Sequence, residues 1–191
     1  MNTPRFSMLL LVPLALGIAA CAKQEEATEP TGAQPAPSAE EDRNALAARA
    51  GAPLFDGMGR HDHPITTSDP NAQRYFNQGL VIDFAFNHAE SVRSFRAAQT
   101  LDPDCAMCYW GEALALGPNI NVTSNGKVVM SDEERTAAFA AIQKAVALKE
   151  NVSEQERDYI DALAARYNGD PSTPREPLDE AYVNAMRDLH R

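Results

Sequence analysis

The sequence is poor in positive charge. Its 17 Lys and Arg residues stand against 27 Asp and Glu residues, which gives a formal net charge of −10. No stretch of the chain gathers its basic residues into a stripe. Because an acidic chain without a basic patch repels a phosphate backbone, the sequence argues against nucleic acid as a partner.

Patterns that carry catalysis are also lacking. The sequence shows no Ser-His-Asp set, no paired-carboxylate pattern, no phosphate-binding glycine loop and no dinucleotide fingerprint. These absences remove the common routes to hydrolysis, phosphoryl transfer and hydride transfer. We therefore predict that the protein is not an enzyme.

Long apolar runs are limited to residues 8–20, a run too short to span a bilayer comfortably. The run follows Arg5 and ends in small residues, which predicts a secretory signal peptide over residues 1–20. The sequence IAAC at 18–21 resembles a bacterial lipobox, which implies lipidation of Cys21 and a lipid-anchored protein of the bacterial cell envelope, facing the periplasm or the outside. The alternative is a plain signal peptide with an incidental cysteine.

Large apolar side chains are scarce in residues 21–51, where Pro, Glu, Gln, Ala and Thr dominate. Such a composition cannot build a core, so it predicts a disordered N-terminal tether. Residues 52–67 combine Gly, Pro and short apolar pieces without a helical period. We expect them to form an extended lead-in that packs against the first helices.

A repeat begins in residues 75–121, which hold two amphipathic helices, a turn and a third helix that restarts the pattern. Large residues such as Tyr75 and Phe95 alternate with small ones such as Gly79, an alternation that lets helices approach closely. With Pro103 as the closing proline, the spacing matches the tetratricopeptide repeat of ~34 residues. The sequence therefore predicts stacked helix hairpins.

The chain thus resembles bacterial tetratricopeptide-repeat proteins and, more narrowly, an exported family with HxHPITT, FNHAE, DPxCAMC and GPNxN motifs. The resemblance implies an all-α stack of antiparallel helix hairpins over residues 68–191, acting as a non-enzymatic scaffold for proteins or peptides. Two clean repeats, one degenerate repeat and a last amphipathic helix predict either a truncated chain or association with a partner through the C-terminal helix.

A concave face in such stacks is lined by the first helix of each repeat. We predict that this face binds an extended peptide, with Trp110 as an exposed anchor. The alternative is that the HDHPITT segment covers Trp110 as part of the core. The predicted groove residues are Gln73, Phe76, Leu80, Asp83, Trp110 and Leu114.

Cysteine is rare, and two of the three cysteines form a CxxC pair, Cys105 and Cys108. One interpretation is a structural disulfide in an oxidising compartment. Another is a soft-metal site for copper or zinc, which needs further ligands. A redox dithiol is the weakest, because the chain lacks the βαβ context of thioredoxin-like centres. The candidate additional ligands are His61, His63 and His88.

Overall fold

The computed structural model describes residues 38–121 and 130–191. The predicted signal peptide, the lipidation site Cys21 and most of the predicted tether lie outside the described residues. The described residues form seven α-helices and no strand, which confirms the all-α prediction. In chain order the helices are α1 Ala39–Ala50, α2 Pro70–Phe84, α3 His88–Leu101, α4 Ala106–Leu116, α5 Asp132–Leu148, α6 Glu154–Ala164 and α7 Arg175–Leu189.

From α2 to α7 the helices stack as hairpins, in which each helix packs against the next one along the chain. The even-numbered helices also contact each other, α2 with α4 and α4 with α6. These three helices therefore share one face of the stack. This is the face on which the repeat register places the predicted groove.

Several helix starts form as the sequence predicts. The Asp69 side chain caps α2 by accepting the main-chain N–H of Asn71 at 2.7 Å, and Pro70 occupies the first position. The helices α5 and α6 both begin with a reciprocal capping box. These boxes pair Ser131 with Glu134, and Ser153 with Glu156.

The sequence also predicts a capping box of Asn87 and Glu90 at the start of α3 and an Asp104 cap for α4, and neither of these caps forms. Asn87 makes no side-chain capping bond at the start of α3. Asp104 does not cap α4, because the capping position falls on Cys105, whose Sγ accepts the main-chain N–H of Cys108 at 3.2 Å. The main-chain N–H of Asp104 instead donates to the carboxylate of Asp102.

The core formed by α2, α3 and α4 is built around Phe95. Its side chain is completely buried, and its ring lies between Gly79 of α2 and Gly111 of α4. A Cβ atom added at either glycine would lie within 3.0 Å of the ring. The alternation of large and small residues therefore lets α2 and α4 approach α3 from both sides.

The predicted tether is shorter than expected, because residues 39–50 form α1 rather than disordered chain. Leu46 of α1 joins Tyr75 in a buried cluster, and the Tyr75 hydroxyl donates to the Ala52 carbonyl at 2.6 Å. Sequence reasoning missed this helix because Leu46 is its one large apolar residue. Its place in that buried cluster and its contacts with α3, rather than periodicity, hold it in position.

Candidate functional site

The lead-in runs along α2 without helix or turn over residues 61–67 and is held by side chains of that helix. The Gln73 amide uses both of its ends, since Oε1 accepts the Ile65 main-chain N–H and Nε2 donates to the His63 carbonyl, each at 2.9 Å. One turn later, Asn77 Oδ1 accepts the His63 main-chain N–H at 3.1 Å. This side of α2 therefore binds the main chain of another segment.

Two buried carboxylates hold the end of the lead-in. Glu156 of α6 accepts both the main-chain N–H and the hydroxyl of Thr66, each at 2.6 Å. Asp102, just after α3, accepts the Thr67 hydroxyl at 2.6 Å and the Ser68 main-chain N–H at 2.7 Å. Hydrogen bonds to an ionised acceptor are about twice as strong as neutral ones. The two threonines thus attach the lead-in to two separate hairpins.

Both carboxylates have a lowered pKa. Burial raises the pKa of Glu156, but hydrogen bonds led by that of Thr66 outweigh burial and bring the pKa below its usual value. Burial also raises the pKa of Asp102, and the bonds from Thr67 and Ser68 again lower it by more. Hydrogen bonds from the lead-in therefore favour the ionised form of both groups.

The predicted groove is not open along α2. Phe76 is completely buried and Leu80 is 5% exposed, so the expectation that a partner contacts these two side chains is wrong. The Phe76 ring lies 5.5 Å from the Phe95 ring and 6.0 Å from the His63 ring, measured between centroids. The chain's own lead-in thus supplies part of the cover over this face.

The predicted anchor on α4 is also covered. Trp110 and Leu114 are half-buried. The Trp110 Nε1 donates to the Tyr159 carbonyl at 3.0 Å, and the two rings meet edge to face at 6.0 Å between centroids. Because Tyr159 belongs to α6, a helix of the next hairpin contributes this cover, which neither of the two interpretations of Trp110 anticipated.

The CxxC pair forms a disulfide. The Sγ atoms of Cys105 and Cys108 lie 2.00 Å apart, and both residues are completely buried. They share the buried cluster that α1 joins through Leu46. A thiolate is the form of cysteine that binds metal, so neither sulfur is a ligand while this bond is intact.

The three candidate histidines have other contacts. His61 is exposed, and His63 packs against Phe76. His88 places Nδ1 2.8 Å from Asp83 Oδ1 and Nε2 2.9 Å from Asn121 Oδ1. In the part of the chain that the structure describes, no group of three or more His, Cys, Asp or Glu could hold a metal ion. The predicted copper or zinc ligands are therefore not brought together.

Sequence reasoning missed an apolar tip at the end of the first hairpin. The tip consists of Phe84, Phe86 and Ile120, which are 70%, 57% and 80% exposed. His88 connects the two turns that carry them, because its ring lies 6.2 Å from the Phe86 ring and its Nε2 contacts Asn121. Residues in turns follow no helical period. The two phenylalanines of the FAF sequence at residues 84–86 are therefore the one signal in the sequence that indicates this tip.

Comparison with family models, curated proteins and solved structures finds no match. The resemblance to tetratricopeptide proteins therefore stays a prediction from the motifs, whereas the all-α architecture is observed. Among the described helices, none combines the length and the apolar character needed to cross a bilayer.

Proposed function

We propose that this protein is a membrane-anchored, non-enzymatic scaffold of the cell envelope that binds an extended segment of a protein partner. The observation that carries the proposal is the way in which Gln73 and Asn77 hold the main chain of His63 and Ile65. Main-chain recognition does not depend on the side chains of the bound segment. The same amides on α2 therefore suit a segment from another protein.

The lead-in acts as an intramolecular ligand for this face. A partner segment competes with residues 63–66 for Gln73, Asn77 and Glu156. Because the lead-in is covalently attached, its effective concentration is high, on the order of millimolar. The partner's apparent affinity equals its intrinsic affinity multiplied by the fraction of molecules in which the face is uncovered. Loosening the lead-in should therefore strengthen binding.

A labelled peptide with the sequence of residues 60–68 tests the proposal by fluorescence anisotropy. We expect weak binding to the unmodified chain and binding about tenfold tighter, or about 1.4 kcal/mol, to a variant carrying Ile65→Gly and Thr66→Gly. Adding Gln73→Leu to that variant should abolish binding, whereas Arg74→Leu, at the exposed neighbouring position, should leave it unchanged. Equal binding by the unmodified and loosened chains would overturn the proposal.

Membrane attachment is the second part of the proposal and is supported by the IAAC sequence that ends at Cys21. Intact mass of the protein purified from bacterial membranes should show a chain that begins at Cys21 and carries acyl groups. The Cys21→Ser variant has no thiol to acylate and should therefore lack the added acyl mass. A processed chain without acyl mass would contradict lipid anchoring and leave peptide binding as a separate question.

A further inference from the structure

The apolar tip exposes three large side chains that the described fold leaves in water. Phe84 ends α2, Phe86 lies in the turn to α3, and Ile120 lies in the loop after α4. Phe86 also has a φ of 64°, a region that bulky residues rarely adopt. Neither the exposure nor this conformation stabilises the isolated chain. Large exposed apolar patches mark sites of contact with a membrane or a protein.

The tip is also free of strongly charged side chains. Residues 84–89 and 113–121 contain no Asp, Glu, Lys or Arg, although these four types make up 23% of the chain. The neighbouring Asp83 is paired with His88. The Arg166 guanidinium donates to the carbonyl of Pro118, two residues before Ile120, at 3.0 Å, and it is paired with Asp179. Moving Phe84, Phe86 and Ile120 into an apolar medium therefore takes no Asp, Glu, Lys or Arg of these two segments out of water, and desolvation of such groups is the main cost of entering lipid.

The shape of the tip favours a lipid surface over a protein. Its side chains protrude from two turns, and a fluid bilayer interface adapts to protruding apolar groups. A specific protein interface normally buries more than about 1,000 Å² with matching shape, which is more than three side chains supply. A lipid anchor at Cys21 would hold the tip close to a bilayer, where even a weak contact is populated.

We infer that the apolar tip inserts into the interface of an uncharged bilayer as a second membrane contact. This inference rests on the proposed membrane attachment through Cys21. The chain carries a formal net charge of −10, which disfavours an anionic surface. The chemistry of the tip therefore points to zwitterionic headgroups rather than to anionic ones.

Tryptophan probes test the inference on the acylated protein reconstituted into phosphatidylcholine vesicles with brominated acyl chains, which quench tryptophan on contact. The variants Phe86→Trp and Ile120→Trp should be quenched several-fold more than Val183→Trp, a control at a 41% exposed apolar position on α7. The native Trp110 is half-buried and contributes the same background to all three variants.

Equal quenching at positions 86, 120 and 183 would overturn the inference and assign the tip to a protein partner. Phosphatidylglycerol vesicles provide a second comparison, in which the net negative charge of the chain predicts less quenching than phosphatidylcholine gives. Stronger quenching on the anionic vesicles would contradict insertion of an uncharged tip. Intact mass of the same sample distinguishes the two failures, since a chain without acyl groups overturns the proposed attachment and this inference together.

Discussion

The first hairpin and the last helix of the stack are held by different forces. Eight residues of α2 are buried, and Phe95 of α3 is enclosed by two neighbouring helices. No residue of α7 is buried. Its contacts with the rest of the stack are polar and aromatic. The Arg166 guanidinium lies 4.8 Å from the centroid of the Tyr182 ring, and Arg175 Nη1 donates to the Arg166 carbonyl at 3.0 Å.

This difference shows where the stack is preorganised. The Gln73 and Asn77 side chains, which hold the main chain of the lead-in, project from α2, eight residues of which are buried. Such support fixes their geometry before any ligand arrives. The helix α7 has no comparable support, and we therefore expect it to open more easily than α2. The candidate binding face and the most stable region therefore coincide.

Removing the Phe95 side chain should have the largest effect on stability. Phe95→Ala leaves a cavity between α2 and α4, and we expect the free energy of unfolding to fall by about 3–5 kcal/mol. Val183→Ala, at an exposed position on α7, should change it by less than about 0.5 kcal/mol. Urea unfolding followed by circular dichroism measures both. Similar losses in the two variants would contradict the contrast between the two regions.

Adding a methyl group next to the Phe95 ring should have the next largest effect on stability. The Cβ atom of Gly111→Ala would overlap the Phe95 ring, and overpacking of this kind costs about 1–3 kcal/mol. Combining it with Phe95→Leu should make the Gly111→Ala step less costly, because the ring that causes the overlap is gone. The four chains of this double-mutant cycle, unfolded in urea, give the coupling energy. A coupling energy near zero would mean that the two residues do not limit each other.

Loss of the disulfide should cost less. The Cys105–Cys108 bond closes a loop of only four residues, for which the chain-entropy model gives about 2 kcal/mol. We expect alkylation of the two thiols only after reduction, and a lower unfolding midpoint for the double variant Cys105→Ser and Cys108→Ser. Mass spectrometry with and without reductant is the measurement. Alkylation of the unfolded, unreduced chain would show that the bond is absent.

Acid should weaken the attachment of the lead-in. The pKa values of Glu156 and Asp102 are lowered in the folded chain, so each carboxylate contributes stability above its unfolded pKa of about 4. That contribution is lost as the pH falls through the lowered folded values. Glu156→Gln should cost about 1 kcal/mol at pH 7 and less at pH 3.

Unfolding in urea at several pH values checks this prediction. The matched control is Asp161→Asn, which changes an exposed carboxylate on the same helix. A cost of Glu156→Gln that does not decrease toward low pH would contradict the role given to its ionised form. An equal pH dependence in the control would show that the effect is not specific to the lead-in.

Local patterns made much of the fold predictable. The Asp69-Pro70 start and the Ser-Glu boxes of α5 and α6 depend on neighbouring residues and therefore appear in the sequence. Helical periodicity likewise identified the hairpins. The sequence predicts that the last helix begins at Leu178, directly after Pro177. The helix α7 begins three residues earlier, because Pro177 lies in its first turn, where the missing N–H costs little.

The candidate site was harder to predict because its contacts join distant residues. Thr66 and Glu156 are 90 residues apart, and no periodic pattern links an irregular segment to a helix of a later hairpin. The sequence placed Gln73 and Phe76 on the correct helix face but could not show that the chain's own lead-in contacts both. Spacing assigns a residue to a face, whereas only packing shows what covers that face.

The most direct test of the scaffold follows the Gln73 and Asn77 side-chain amides by nuclear magnetic resonance. The peptide of residues 60–68 would be titrated into the chain carrying Ile65→Gly and Thr66→Gly. We predict saturable shifts of both amide signals, because these groups bind the main chain of the segment. Unchanged Gln73 and Asn77 signals at peptide concentrations that saturate anisotropy would contradict the account and place peptide binding elsewhere.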